Sequence, residues 1–291
     1  MKFIDRLRRD ARQGRFAILP SSSPPLAMAP TAPLRAAPVR DRSETSDSEA
    51  LDWPTPEIGS PLLVYVPGGG FMLPPIPRQL QLAERLAQAC GCRAVVPEHR
   101  LAPEFPFPLP VRDLADHYQA LLRAGHDPNR IIMAGDSAGA TLMLSALLEI
   151  KSRKLPMPAG AILFSPWTDL AMRGWSYVSK SLSSDSPFRM ETAAVAARLY
   201  LGDTLPTDPR ASPAYADLSG LPAMAVHCSR FDMHFDDAVG LSEQASDAGI
   251  PIRMNYWNSP RHHLERFRSR DAQASIEIAA GFVRERLRLM A

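Results

Sequence analysis

From residue 60 onward, short apolar runs alternate with longer segments whose apolar positions recur at helical spacing. Leu62–Val66 is a continuous apolar run, typical of a strand that is buried on both faces. This pattern predicts further strands at 94–97, 131–135, 161–165, 223–228 and 252–257, and helices at 78–90, 111–124, 137–152, 190–201, 235–248 and 271–289. Such alternation predicts an α/β fold, with a mainly parallel central sheet and helices on both faces.

The first 60 residues have a different pattern. Many of the 29 prolines of the chain lie between residues 20 and 61, so we expect an irregular segment there. Residues 3–16 predict a short basic amphipathic helix, which we interpret as a cap or dimer element rather than a membrane-binding one. We therefore divide the chain into an N-terminal cap segment at 1–50 and an α/β domain at 51–291.

Charge and composition exclude several classes of protein. The 33 basic and 31 acidic residues give a net charge of +2, which predicts no general attraction to nucleic acid or to anionic membranes. No run reaches the roughly 18 apolar residues of a membrane span, and prolines interrupt the segment where a signal peptide would need apolar residues. Three cysteines argue against a disulfide framework (Cys90, Cys92 and Cys228). We expect a cytoplasmic protein.

A G-x-S-x-G pentapeptide is the first candidate for chemistry. Gly135-Asp136-Ser137-Ala138-Gly139 follows a predicted strand and opens a predicted helix. That strand–turn–helix context is typical of a nucleophile elbow, in which a tight turn exposes the serine. An ordinary turn with a serine at the helix N-cap is the alternative. The pentapeptide alone is common, so its context carries the prediction that Ser137 is a nucleophile.

Three consecutive glycines, Gly68 to Gly70, follow the first predicted strand. Glycines leave backbone amides uncovered and allow close approach of a ligand, as the oxyanion of an acyl-transfer intermediate requires. A phosphate-binding loop would end in Lys-Ser/Thr and run directly into a helix. Neither feature is present.

A serine nucleophile needs a histidine base and a carboxylate that orients it. Four histidines follow the nucleophile helix: His227, His234, His262 and His263. His227 lies within a predicted strand and His234 adjoins the acids, which leaves His262 and His263 on the loop after the last strand. Candidate acids follow the fifth strand: Asp232, Asp236 and Asp237. We expect no metal site, because the possible ligands His227, Asp232, His234 and Asp236 come from a strand, a loop and a helix.

Several blocks together resemble one family. The glycine loop, HRLAPEFPFP at 99–108, GDSAG at 135–139, SPWTDL at 165–170 and DPRASP at 208–213 are similar to those of the bacterial hormone-sensitive-lipase family of α/β-hydrolase carboxylesterases, in the same order. The resemblance covers about residues 60–285. It implies an α/β-hydrolase fold with a small helical cap, formed by 1–50 and an insertion at about 171–205.

The resemblance also implies roles for single residues. Asp232 would be the acid, and His262 the base because Trp257 precedes it by five positions, as an aromatic residue does in the family. The oxyanion donors would be the amides of Gly69, Gly70 and Ala138. The chain departs from the family at Pro67, which stands where the family has histidine and offers neither a side-chain hydrogen bond nor a backbone N–H.

These inferences predict a serine carboxylesterase of the lipolytic type, without a cofactor, that acts on short- to medium-chain esters. The family also implies a possible homodimer through the last strand and its neighbouring helix. Two alternatives stay open: the same triad acting on an amide, a lactone or an acyl acceptor, and a ligand-binding member of the fold without turnover. Aromatic residues of the cap serve either as core packing or as substrate contacts (Trp175, Tyr177, Phe188 and Tyr200). Asp236 and Asp237 are expected to cap the helix that follows.

Overall fold

A single parallel sheet of six strands forms the centre of the fold. The computed structural model describes residues 58–179 and 189–289, so the predicted segment at 1–50 and Phe188 lie outside the described residues. The strands are β1 (Leu62–Val66), β2 (Arg93–Val95), β3 (Ile131–Asp136), β4 (Gly160–Phe164), β5 (Met224–Ser229) and β6 (Ile252–Trp257). They pair in the order β2-β1-β3-β4-β5-β6, and every pair is parallel.

Helices cover both faces of this sheet. They are α1 (Pro77–Cys90), α2 (Leu109–Arg123), α3 (Ala138–Ser152), α4 (Trp175–Ser179), α5 (Met190–Leu201), α6 (Phe235–Asp247) and α7 (Arg270–Leu289). The core on one face joins the sheet to α2, α3, α5 and α6, and the core on the other face joins it to α1 and α7. β1, β3, β4 and β5 are buried along their whole length, which explains their continuous apolar sequence.

The elements predicted from residue 60 onward are confirmed with shifts of one or two residues at their ends. The short helix α4 was not predicted, because five residues give no periodicity to detect. Its position and that of α5 fall in the stretch expected to carry the cap insertion. No helix within the described ranges combines the length and apolarity that crossing a membrane requires.

The parallel arrangement brings five loops to one edge of the sheet. Strands β1, β3, β4, β5 and β6 all end there, because register aligns Val66 with Gly135, Asp136 with Phe164, Phe164 with His227 and Ser229 with Trp257. The carboxyl edge of such a sheet is where ligands bind. The glycine loop, Ser137, the candidate acids and the last two histidines therefore lie on loops at this edge.

Candidate active site

The turn at Ser137 has the geometry of a nucleophile elbow. Ser137 adopts φ 52° and ψ −125° between β3 and α3, a backbone conformation that costs energy for a residue with a Cβ. A Cβ on Gly135 would lie 2.8 Å from the carbonyl oxygen of Gly139, and one on Gly139 would lie 2.2 Å from that of Val66. Only glycine fits at either position, so the predicted elbow is present.

The glycine loop after β1 lies directly beside this turn. The N–H of Gly68 donates to Asp136 Oδ1 at 2.8 Å, so that amide is already engaged. Gly69 has φ 155° and accepts hydrogen bonds through its carbonyl from the amides of Met72 and Leu73. By contrast, the amides of Gly69, Gly70 and Ala138 donate to no other residue in the described part of the chain. These three amides are available to a ligand.

Asp232 and His262 form a close pair above the ends of β5 and β6. The Nδ1 of His262 lies 2.6 Å from Oδ2 of Asp232, while the backbone N–H of His234 donates to Oδ1 at 3.0 Å. Asp232 is 2% exposed. Burial alone would raise the pKa of Asp232, but the facing His262 and the hydrogen bonds from His262 and His234 hold it well below its usual range. Asp232 is therefore an ionised carboxylate that fixes one nitrogen of His262.

The other ring nitrogen of His262, Nε2, is not engaged by Asp232. Among the described residues, no hydrogen bond joins His262 to Ser137. In substrate-free enzymes such contacts are often long and tighten only when substrate binds. Of the sequence-predicted residues, the structure thus pairs Asp232 with His262 and places Ser137 at the same edge of the sheet, two strands away from the loop of Asp232.

The remaining histidines have other surroundings. His227 lies within β5, where its Nδ1 is 2.8 Å from the hydroxyl of Ser275, and burial lowers the pKa of His227 to about 3. His234 packs with its ring centroid 5.6 Å from that of Trp167, and burial lowers its pKa to about 3 as well. Both rings are therefore neutral at physiological pH. Neither can supply a positive charge to Asp232 there.

His263 adopts a left-handed conformation, with φ 53° and ψ 63°. Its ring is 2% exposed, and Nε2 lies 3.9 Å from Oδ2 of Asp136. Burial, His262 and Arg266 together depress the pKa of His263 well below its usual value. It therefore faces Asp136, with its ring centroid 3.5 Å from that of His262.

One group of side chains has the composition of a metal site. The ligand atoms of Asp232, His234 and His262 all lie within 4.8 Å of one another, whereas the sequence suggested His227 and Asp236 as further ligands. Two of the three residues are the predicted acid and base. An ion bound there would compete with the His262 hydrogen bond for the carboxylate of Asp232, because metal binding displaces protons from its ligands.

Asp236 and Asp237 do not cap α6 as the sequence suggested, although both lie in its first turn. Asp237 Oδ2 accepts hydrogen bonds from the amides of Thr168 and Asp169 at 2.7 and 2.8 Å, and from the Tyr177 hydroxyl at 2.7 Å. Burial raises the pKa of Asp237 to about 8. The role of Asp237 is therefore to hold the loop after β4. Asp236 instead accepts a hydrogen bond from the amide of Ser176 at 2.9 Å.

Two of the aromatic residues that the sequence assigned to a cap are core residues. Tyr177 and Tyr200 are completely buried, and Tyr200 stacks on Phe71 with ring centroids 4.0 Å apart. Trp175 is 72% exposed. Packing rather than substrate contact therefore explains the two tyrosines.

Sequence reasoning missed the group that holds the glycine loop. Asp136, treated above only as the variable position of the pentapeptide, is fully buried and binds Tyr65, Gly68, Gln79 and Arg266. The available signal was a charged residue at the end of an otherwise apolar strand, since buried carboxylates require partners.

Comparison with known proteins agrees with this geometry. A sequence model described as the alpha/beta hydrolase fold matches residues 63–265. An acetyl-hydrolase of Streptomyces hygroscopicus is 34% identical over 226 residues, covering 76% of this chain and 75% of the relative. An esterase of Acinetobacter venetianus is 31% identical over 219 residues, covering 75% and 72%. The crystal structure of an esterase from the bacterial hormone-sensitive lipase family has a TM-score of 0.75 at 33% identity, covering 80% of this chain and 79% of that one.

Proposed function

The chain belongs to the bacterial hormone-sensitive-lipase family of α/β-hydrolase esterases, and on that premise we propose that it hydrolyses carboxylic esters with Ser137, Asp232 and His262 as its triad. The observation that carries this proposal is the 2.6 Å contact between buried Asp232 and His262, on loops at the same edge of the sheet as Ser137. A carboxylate that fixes Nδ1 leaves Nε2 as the basic nitrogen of the imidazole.

The reaction proceeds by two acyl transfers. Ser137 Oγ attacks the ester carbonyl while His262 Nε2 takes its proton, and ionised Asp232 stabilises the resulting imidazolium. His262 then returns the proton to the alcohol, which leaves an acyl group on Ser137. Water attacks this acyl-enzyme by the same route, and the carboxylic acid is released.

The amides of Gly69, Gly70 and Ala138 hold the oxyanion of each tetrahedral intermediate. Their lack of partners among the described residues supports this role, as does the engagement of Gly68 by Asp136. Ala138 is the first residue of α3, so its amide also carries the partial positive charge of a helix N-terminus. Removal of one such donor typically costs about 3 kcal/mol of transition-state stabilisation.

The glycine loop is held by other side chains although Pro67 cannot hold it. The N–H and the carbonyl of Gly68 are bound by the side chains of Asp136 and Gln79, each at 2.8 Å. A loop fixed at both groups supports a competent oxyanion site and argues against a binding protein without turnover. Turnover of amides, lactones or acyl acceptors remains an alternative for the same triad.

The substrate proposal is a small ester with a short- to medium-length acyl chain. The name of the Streptomyces relative, acetyl-hydrolase, supports the short end of that range. We assign the cap to residues 1–50 and about 171–205, which include α4 and α5. The remainder from 51 to 291 forms the hydrolase domain.

Two further features of the proposal concern assembly and location. β6 lies at one edge of the described sheet and carries Tyr256, which is 52% exposed. An exposed edge strand is a common pairing surface, which supports a homodimer through β6 and α7. Cys90, Cys92 and Cys228 are free thiols, which supports a reducing cytoplasmic location.

The test is hydrolysis of p-nitrophenyl butyrate by the wild type, Ser137→Ala and Ser145→Ala. Ser145 is the matched control, because it is a buried serine two turns further along α3. We expect Ser137→Ala to lower kcat by about three decades or more, whereas Ser145→Ala stays close to the wild type. Equal kcat values for the wild type and Ser137→Ala would refute the proposal.

A further inference from the structure

A buried carboxylate lies where three parts of the site meet. Asp136 has no exposed surface, and it directly precedes Ser137. Its Oδ1 accepts hydrogen bonds from the Tyr65 hydroxyl at 2.6 Å and from the Gly68 amide at 2.8 Å. Its Oδ2 accepts a hydrogen bond from the guanidinium of Arg266. An ionised group this deeply buried is tolerated only when such partners compensate for lost hydration.

These contacts fix the glycine loop with little freedom. Gln79, 2% exposed on the first turn of α1, donates through Nε2 to the Gly68 carbonyl at 2.8 Å and lies 3.3 Å from Asp136 Oδ2. A Cβ at Gly68 would lie 2.5 Å from the Asp136 carbonyl oxygen, so the loop lies directly against the strand end. Displacement of Asp136 would move the adjoining amides of Gly69 and Gly70.

Arg266 comes from the loop that carries the base. It ends a short 3-10 helix, Leu264–Arg266, four residues after His262. The same loop is fastened to α1 by Arg85, whose guanidinium donates to the carbonyls of Glu265 and Phe267. Burial alone would raise the pKa of Asp136, but the charge of Arg266 and the hydrogen bonds from Tyr65, Arg266 and Gly68 hold it below its usual value. The ion pair therefore persists at the pH of catalysis.

We propose that Arg266 and Asp136 form a positioning pair, which holds the loop that carries His262 against the glycine loop with its oxyanion donors. Pro67 cannot hold the glycine loop in this way, because it has neither a polar side chain nor a backbone N–H. This inference rests on the proposed esterase function. Neither residue touches the reacting atoms. Arg266 acts through Asp136 on the glycine amides, and through its own loop on His262. Because both the base and the donors must be correctly placed in the transition state, loss of the pair should affect kcat more than KM.

The experiment compares Arg266→Met, Arg266→Lys and the double variant Asp136→Asn/Arg266→Met. Arg268→Met is the control, because Arg268 is an exposed arginine two residues further along the same chain segment. For each protein, kcat and KM are measured with p-nitrophenyl butyrate, together with Tm and the inhibition constant of an aliphatic trifluoromethyl ketone. That ketone forms an oxyanion adduct with a serine nucleophile, so its affinity reports on the placement of the donors.

We expect Arg266→Met to lower kcat by between about tenfold and a hundredfold, with KM within about threefold of the wild-type value. The affinity for the ketone should fall by a factor similar to the loss in kcat. Arg266→Lys should recover part of this loss, since it keeps the charge without the planar fork. Arg268→Met should match the wild type. In Arg266→Met the carboxylate of Asp136 stays buried without its arginine. The double variant removes that charge, so its Tm should return toward the wild-type value while its kcat stays low.

Two results would overturn the positioning role. One is an Arg266→Met protein whose kcat and ketone affinity match those of Arg268→Met. The other is a double variant in which kcat recovers together with Tm, because the pair would then contribute only charge compensation to folding. Failure of the proposed function is separate, since it would appear as a wild type with no ester turnover and no dependence on Ser137.

Discussion

Replacing Asp232 with asparagine removes one charge from the site and leaves the shape of the side chain. The carboxylate lies 2.6 Å from His262 Nδ1 and is almost completely buried. At that distance and an effective dielectric constant of about 20, its attraction to an imidazolium is about 6 kcal/mol. The asparagine also presents an N–H₂ group that favours the wrong tautomer of His262. We therefore expect kcat to fall by about 10³- to 10⁴-fold, equivalent to about 4 to 5.5 kcal/mol.

The assay is steady-state hydrolysis of p-nitrophenyl butyrate at pH 8, with circular dichroism to verify folding. Asp236→Asn is the matched control, because it removes a nearby acid of the same loop–helix segment while its amide oxygen can still accept from Ser176. That variant should keep kcat within about tenfold, since no contact joins it to His262. A folded Asp232→Asn enzyme with kcat like that of Asp236→Asn would refute the assignment of the acid.

Three further predictions test the surroundings of the triad. His234→Leu should keep kcat within about tenfold, because Asp232 keeps the hydrogen bond from the backbone N–H of residue 234 at 3.0 Å, whereas the neutral ring only approaches it, with Nδ1 at 3.5 Å; a loss as large as in His262→Ala would instead make its ring essential. Gly139→Ala should lower the free energy of unfolding in urea by about 3 kcal/mol or more, since the new Cβ would lie 2.2 Å from a carbonyl oxygen. Gly281→Ala is the control and should not destabilise the fold, because the space around its Cβ is open. Burial raises the pKa of Glu265 to about 7 from 4.5, so between these two pH values the folded state binds more protons than the unfolded state, and the wild type loses stability as the pH rises. Glu265→Gln should remove up to about 3 kcal/mol of that loss between pH 5 and pH 8. A pH dependence of urea unfolding that is unchanged in the variant would contradict this.

The order of elements could be read from the sequence because the central strands β1, β3, β4 and β5 are buried along their whole length. Such strands are short apolar runs, and the helices between them show clear periodicity. The elbow could also be predicted, since the steric demand at Gly135 and Gly139 leaves a fixed spacing around Ser137. These features depend on local sequence, which is why their positions agree with the structure to within a residue or two.

The partners of the buried acids could not be predicted in the same way. Asp237 binds amides of a loop almost 70 positions earlier, and Asp136 binds an arginine 130 positions later. Sequence spacing carries no information about such contacts, so the sequence predicts a helix cap at Asp237 and gives no role to Arg266. The choice between His262 and His263 likewise depended on the family pattern, whereas the structure separates them by their contacts with Asp232 and Asp136.

The central claim is that an acyl group is transferred to Ser137, and mass spectrometry of the covalently labelled protein tests it most directly. The wild type is treated with a fluorophosphonate ester, digested and mapped, with Ser137→Ala and Ser145→Ala treated in parallel. We predict one label per chain on the peptide that contains Ser137, retained in Ser145→Ala and absent from Ser137→Ala. A label on another residue of an active wild type, or ester turnover by an unlabelled Ser137→Ala protein, would contradict the account.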